Sequence, residues 1–337
     1  MRSALLTAYD QPFALVDRPV PEPGPGEVVV AVSACGVCGS DRFLQKGGFG
    51  GPLPIVPGHE AAGRVAAIGD GVAGLAIGQK VALYYIAHCG QCRYCLAGRE
   101  NICLEVRRMG VDFDGAMAEL VRLPAENCLP LDDAIDLAAA AVITDAIGTP
   151  THALGQARVG EGDRVLVMGV GGIGSNAVQI ARVLGCTVIA ASRSDSALAN
   201  ATALGAQAAL RADDDLPAAV RELTGGLGVD AVIQCAPAAA AYSLALDCLA
   251  KGGRLVIVGT SEAPVPIALN PVLWAEHEIL GSRGFTRADI RRGLDWYRSG
   301  AIAVDHLVRH RRPLEQINEA IADLDNPDVV RTVIELA

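Results

Sequence analysis

Residues 164–174 read Arg164-Val165-Leu166-Val167-Met168-Gly169-Val170-Gly171-Gly172-Ile173-Gly174. An apolar, β-branched run leads into G-x-G-x-x-G, and the apolar spacing over 173–184 predicts a helix starting near Ser175. In that setting Gly169 permits a tight turn, Gly171 lets backbone approach a pyrophosphate, and Gly174 allows close helix–strand packing. The helix N-terminus attracts the phosphate charge. Glycine-rich turns also occur in unrelated α/β proteins, so the strand before, the helix after and a second strand over 187–191 carry the assignment.

Outward from this motif, strand and helix alternate through 164–168, 173–184, 187–191 and 194–204. Further strands are expected at 229–234, 254–258 and 278–281, the middle one introduced by a turn at Lys251-Gly252-Gly253. Such alternation implies a parallel sheet flanked by helices. Before about residue 131 the chain is dense in Gly and Pro with short β-branched runs, over 27–32 and 63–68, and reads as irregular, strand-rich structure. After about residue 286 it is mixed again and is expected to pack back on the first domain.

A chain of 337 residues is expected to divide into about two domains. With 51% hydrophobic and 20% charged residues it can build packed cores, and with 38 Gly against 5 Phe and 2 Trp those cores must be mainly aliphatic. The formal charge of -10 argues against nucleic acid or an anionic membrane as partner and favours a small-molecule substrate. The first residues form no signal-peptide core, and no apolar run approaches the roughly 20 residues of a membrane span. Ten cysteines in so long a chain point to thiols or thiolate–metal sites, and to a cytoplasmic protein.

Cys89, Cys92, Cys95 and Cys103 form C-x2-C-x2-C-x7-C, a spacing that lets a loop wrap one ion in four thiolates, the closed set of a structural zinc. Upstream lie Cys38-Gly39-Ser40-Asp41 and Gly58-His59-Glu60-Ala61-Ala62-Gly63, which offer a Cys and a His as two more zinc ligands. Cys35 and Cys38 also spell C-x-x-C, the form of a redox dithiol, without a thioredoxin-like pattern around it.

GVCGSD, GHEAAG with Gly69 and Val72 after it, the four-cysteine lobe and the later G-x-G-x-x-G stand here in the order found in zinc-containing medium-chain alcohol dehydrogenases, and the chain resembles that family over its whole length. The resemblance implies an α/β protein: a GroES-like β-rich catalytic domain plus a Rossmann-fold cofactor domain with a doubly wound parallel sheet. The implied boundaries are 1–147 for the catalytic domain with its lobe at about 88–104, 148–285 for the cofactor domain, and 286–337 for a segment rejoining the first. Two zinc ions per chain and a homodimer or homotetramer follow in the same way.

Carried over residue by residue, Cys38, His59 and Asp145, in Val142-Ile143-Thr144-Asp145-Ala146, look like ligands of a catalytic zinc. Asp145 could instead cap the following helix. Asp41 resembles the residue that holds the histidine ligand by its second nitrogen, and Glu60 the carboxylate behind the zinc; either could be a surface charge. Ser40 matches the hydroxyl that passes the alcohol proton onward, or is a plain turn serine. Phe43 stands where the family often has a relay histidine. Tyr85 matches a substrate-pocket position or is a core aromatic, and Trp274 is expected near a subunit interface.

The implied reaction is hydride exchange between an alcohol, or an aldehyde or ketone, and NAD(P)(H), with zinc as Lewis acid. The competing readings are a zinc-free quinone or enone reductase of the same superfamily and a non-catalytic protein that kept the fold. Ser192, where an NAD-specific site places Asp or Glu, and Arg193 after it favour NADP(H) over NAD(H), with Gly169, Gly171, Gly172, Ile173 and Gly174 holding the pyrophosphate. Against this, an arginine there can stack on adenine, and Asp195 is near enough to oppose a phosphate.

Overall fold

The structure is a computed structural model and describes every residue except Asp214, Glu262, Pro327, Asp328 and Ala337. The chain divides into two units, Met1–Asp145 with Thr286–Ala337, and Ala146–Phe285.

In the first unit, β1 (Glu27–Val37) is the central strand and pairs antiparallel with β2 (Glu60–Ile68). The sheet runs His310–Pro313, Thr332–Glu335, β1, β2, Lys80–Leu83, Cys128–Pro130, and Leu120–Pro124 also pairs with β1. β1 is buried along most of its length because it is flanked on every side; Val28, Val30 and Val32 are at most 3% exposed and pack with Val65, Leu83 and Ile334. Burying each such side chain is worth about 1.5–3 kcal/mol. Two short helices close on this sheet: α1 (Gly39–Gln45) follows β1 directly, and α2 (Leu137–Val142) packs against β1 and β2. Asp136 caps α2 by accepting from the Ala139 N–H at 2.9 Å.

The second unit is a six-stranded parallel sheet of β3 (Arg164–Met168), β4 (Thr187–Ser192), β5 (Ala208–Arg211), β6 (Val229–Gln234), β7 (Leu249–Ile257) and β8 (Glu278–Gly281). Its spatial order, β5-β4-β3-β6-β7-β8, is the order 3-2-1-4-5-6 of the doubly wound dinucleotide fold, with the reversal beside β3. The expected α/β architecture is therefore present. Helix α3 (Gly174–Val183) follows β3, and α4 (Asp195–Ala203) follows β4 with Ser194 as its cap.

One strand corrects the sequence reading. Lys251-Gly252-Gly253 does not introduce a strand but lies inside β7, where the register passes from Val229↔Leu249 to Ala231↔Arg254, so two steps along β6 face five along β7. Gly252, at φ 71°, takes up the bulge. A double glycine signals a tight backbone excursion, and here neighbouring strands keep it within the sheet.

Candidate active site and metal centres

The first site arises where two neighbouring strands meet their loops. β1 ends at Val37 and hands the chain to Cys38; β2 begins at Glu60, one residue after His59; and Gly36 is paired with Glu60 in register. Cys38 and His59 are thus neighbours because the strands beneath them are. Asp41, buried in the first turn of α1, ties the two together: its Oδ2 accepts from the Cys38 N–H at 2.9 Å and its Oδ1 lies 3.4 Å from His59 Nδ1. With Nδ1 so engaged, Nε2 is the nitrogen turned toward the cluster, and Ser40 Oγ lies 3.2 Å from it.

Asp145 arrives from elsewhere. It sits in a π-helical turn, Ile143–Ile147, inserted between α2 and the helix Gly148–Ala157, so it occupies the interior of a continuing helical path and not the position of an N-cap. Its Oδ2 is 3.7 Å from Cys38 Sγ. Cys38, His59, Glu60 and Asp145 each offer one ligand atom, and those atoms all lie within 4.8 Å of one another. His59, Glu60, Asp145 and Asp41 are all buried.

A thiol and two carboxylates gathered away from water need positive charge nearby. Burial pushes the Glu60 carboxyl up to about 8, against the lowering effect of Arg331 and with the help of Asp145. Burial works against a charged His59 ring, yet Asp41 and Cys38 outweigh it and hold the imidazole well above its usual range. The site therefore favours a cation, and a soft thiolate, an imidazole and a carboxylate are a donor set suited to zinc with a position left over.

Arg331 escaped the sequence reading. Thr332 pairs with Val37 across the antiparallel ladder, so Arg331 stands one residue beyond, opposite Cys38. Its Nη1 donates to Glu60 Oε1 and lies 4.0 Å from Asp145 Oδ2. No short motif announces a partner 271 residues away.

Tyr85 stands beside the cluster, its ring centroid 5.6 Å from that of His59. Phe43 packs edge-on against Phe49 with centroids 4.7 Å apart. Cys35 is fully buried in the first unit's core, where burial raises its thiol, so it is no exposed partner for a dithiol with Cys38.

The second cluster lies in the lobe around the short helix Arg93–Leu96. Cys92 Sγ is 3.6 Å from Cys95 Sγ and 3.8 Å from Cys103 Sγ, and Cys103 Sγ is 3.5 Å from Cys89 Sγ. Thiolates bound at roughly 2.3 Å to one tetrahedral zinc are separated by roughly 3.8 Å, whereas disulfide sulfurs approach to about 2 Å. Backbone N–H groups of Cys89, Cys92 and Glu105 point at the sulfurs, and those of Cys95 and Leu104 pull the Cys92 thiol down to about 6. Burial and the neighbouring Cys103 and Cys92 sulfurs push the Cys95 thiol up to about 12, so four thiolates here call for a cation among them.

In the second unit the glycine motif behaves as its chemistry requires. Gly169 has φ 89°, and a Cβ on Gly174 would lie 1.9 Å from the Gly169 carbonyl oxygen, so α3 can start against β3 only without a side chain there. The space beside Gly171 is open. β4 ends at Ser192, whose Oγ accepts from the Ser194 N–H, and Arg193 next to it is exposed. Arg211, paired with Ser192 in register, bonds Asp195 at 2.6 Å and takes up the charge that stood against a phosphate.

Comparison with known proteins agrees with these two units. Residues 24–133 match the alcohol dehydrogenase GroES-like domain and residues 172–299 the zinc-binding dehydrogenase family. An alcohol dehydrogenase of Geobacillus stearothermophilus is 32% identical over 95% of this chain and 94% of its own length. A structure from Sinorhizobium meliloti 1021 bound to NADP is 30% identical with a TM-score of 0.92, covering 99% of each chain. Acetophenone reductase from Geotrichum candidum NBRC 4597, in complex with NAD, is 30% identical with a TM-score of 0.89, covering 99% of this chain and 97% of its own. These matches mark an oxidoreductase of the alcohol-dehydrogenase type. The chain belongs to the zinc-containing medium-chain dehydrogenase/reductase family.

Proposed function

We propose that this protein is a zinc-dependent alcohol dehydrogenase or carbonyl reductase that exchanges hydride with NADP(H) in preference to NAD(H), and that it carries two zinc ions. The observation that carries the reading is the convergence of Cys38, His59 and Asp145 in a buried cluster beside Ser40, in a chain whose other unit is a dinucleotide fold. Cys38, His59 and Asp145 would hold the catalytic ion, and Cys89, Cys92, Cys95 and Cys103 the structural one. The domain boundaries that go with it are 1–147, 148–285 and 286–337. When bound, zinc supplies a Lewis acid that acidifies an alcohol hydroxyl or polarises a carbonyl, and the nicotinamide accepts or returns the hydride.

The residues of the chain do the rest. Asp41 fixes the tautomer and orientation of His59. Ser40, its Oγ 3.2 Å from His59 Nε2, accepts the proton that the alcohol hydroxyl gives up and releases its own. Phe43 carries no proton onward, so from Ser40 it leaves through cofactor ribose and water. Tyr85 forms a wall of the substrate pocket, while Gly169, Gly171, Gly172, Ile173 and Gly174 receive the pyrophosphate. A homodimer or homotetramer fits the exposed Leu269, Leu273 and Trp274 on the helix Leu269–Ala275, which precedes the edge strand β8. Among the described residues no helix is long and apolar enough to cross a membrane, and a cytoplasmic setting fits the reduced cysteines.

The test is metal content together with turnover. Fully metallated protein should contain two zincs per chain. A panel of aliphatic, cyclic and aromatic alcohols, polyols and their carbonyl partners should give turnover read by absorbance of the reduced dinucleotide. At most one zinc, or no turnover with any member of the panel, would overturn the reading.

Cofactor choice has its own measurement. A charge-assisted contact of Arg193 with a 2′-phosphate is worth about 1.5–3 kcal/mol, so Arg193→Ala should cut the NADP-to-NAD ratio of kcat/KM by about 10- to 100-fold. Equal weakening with both cofactors would mean that Arg193 stacks on adenine.

Ser40→Ala should lower kcat by about a hundredfold, the lower end of what a positioned proton-transfer group contributes, while Phe43→His is tolerated or faster. Stopped-flow proton release and steady-state kcat report both. A fully active Ser40→Ala enzyme would move the proton route elsewhere.

A further inference from the structure

β4 ends at Ser192, the position that meets the ribose 2′-hydroxyl in a dinucleotide fold, and β5, its neighbour at the sheet edge, places Arg211 in register with it. Partners on adjacent strands stand about 4.8 Å apart and send their side chains to the same face of the sheet. Arg211 thus comes through the sheet to the place that Arg193 reaches along the chain. The junction is held there, because the Ala212 N–H donates to the Ser192 carbonyl at 3.0 Å.

Arg211 is only loosely committed to its present partner. Its Nη1 meets Asp195 Oδ1 through a single contact of 2.6 Å, and both side chains are largely exposed. An ion pair so open to water contributes little. Asp195 does not depend on it either. It stands in the first turn of α4, behind the Ser194 cap, where the helix N-terminus favours a negative charge.

We propose that Arg211 is a second specificity-determining residue for the dinucleotide: it releases Asp195 and takes the 2′-phosphate, which is then held between Arg193 and Arg211. The proposal rests on the reading of this site as one for NADP(H). A phosphate monoester carries up to about two negative charges and three acceptor oxygens, and a guanidinium can meet it with two parallel N–H groups where the Asp195 contact uses one. A neutral 2′-hydroxyl has no such hold on the guanidinium, so with NAD(H) Arg211 stays on Asp195. The exchange therefore favours one cofactor without disfavouring the rest of the dinucleotide.

A plainer role for Arg211 would be to neutralise Asp195 and nothing more, and the two roles part when Asp195 is removed. The test is calorimetric binding to the full chain of ADP-ribose 2′-phosphate and of ADP-ribose, which differ only in the phosphate and need neither metal nor hydride transfer. Wild type should prefer the phosphorylated ligand. Arg211→Met should cut that preference about tenfold, the lower end of what a hydrogen bond to a charged group contributes. Asp195→Asn should raise it about threefold, as an exposed carboxylate no longer competes for the guanidinium. In the Asp195→Asn background Arg211→Met should still cost about tenfold, since a cation that touches the phosphate is missed whether or not Asp195 is present. Arg211→Lys keeps the charge without the planar fork and should fall between wild type and Arg211→Met. The affinity for ADP-ribose is the reference in every variant, and if Arg211→Met loses it, Arg211→Gln is read in its place.

A preference that survives Arg211→Met, or a loss that vanishes in the Asp195→Asn background, means that Arg211 only neutralises Asp195; the proposal then falls while the NADP reading stands. Wild-type protein that binds ADP-ribose as tightly as its 2′-phosphate overturns the NADP reading itself.

Discussion

Replacing His59 with alanine is expected to lower turnover by about a thousandfold or more, because Lewis-acid stabilisation of developing charge is worth several kcal/mol and each 1.4 kcal/mol is about tenfold. The chain should stay folded. His59 lies one residue before β2 with its side chain in the polar cluster, not in the core formed by Val28, Val30 and Ile334. Zinc content should fall from two to one per chain, and circular dichroism should match wild type. Cys38→Ser should behave alike. Asp145→Ala divides the question further: if it keeps full zinc and full activity, Asp145 is no ligand and its place in the π turn serves packing alone. A His59→Ala enzyme with ordinary turnover would remove the metal from the reaction.

Cys92→Ser should act on the other side of the ledger between stability and activity. Its sulfur lies 3.6 and 3.8 Å from two others, so its loss removes one of the four thiolates that would enclose the proposed structural zinc. Structural zinc contributes up to about 10 kcal/mol or more to the folding of small domains, and losing even a third of that would lower the thermal midpoint by about 10 °C in a unit of this size. Protein still folded at low temperature should keep most of its kcat. Differential scanning calorimetry with zinc analysis checks both. Two zincs retained with an unchanged midpoint would mean that the lobe holds itself together without the ion.

The same contrast between local and distant partners decides what the sequence makes legible. Cys89, Cys92, Cys95 and Cys103 are readable because their spacing alone brings them round one point. Gly169 to Gly174 are readable because a strand, a turn and a helix must follow one another there. Asp41 and Ser40 adjoin Cys38 in sequence, and their contacts with His59 need only β1 and β2 as neighbours. Asp145 is harder, since only the family resemblance points to it and its geometry depends on a π turn that no propensity announces. Arg331 and Arg211 are not legible at all. Each meets its partner through strand register, Arg331 beside Val37 and Arg211 across from Ser192, and register is a property of the assembled sheet. The misread at Lys251-Gly252-Gly253 has the same root: a glycine pair marks where the backbone departs, and the strand on the other side decides whether it returns.

The strand Thr332–Glu335 lies beside β1 at the middle of the first unit's sheet, while the whole second unit is one unbroken stretch of chain between them. During synthesis, residues 146–285 can therefore reach their complete parallel sheet as soon as they leave the ribosome, whereas residues 34–37 of β1 lack their partner on one edge until residue 335 has emerged. At about 5–20 residues per second that exposure lasts for many seconds, and an unpaired stretch of strand edge is the kind of surface on which nascent chains stick to one another. For this protein the risk in making it falls on the unit that holds the Cys38 cluster, and a chain stopped before residue 331 would lack both the strand that pairs with residues 34–37 of β1 and the arginine bonded to Glu60.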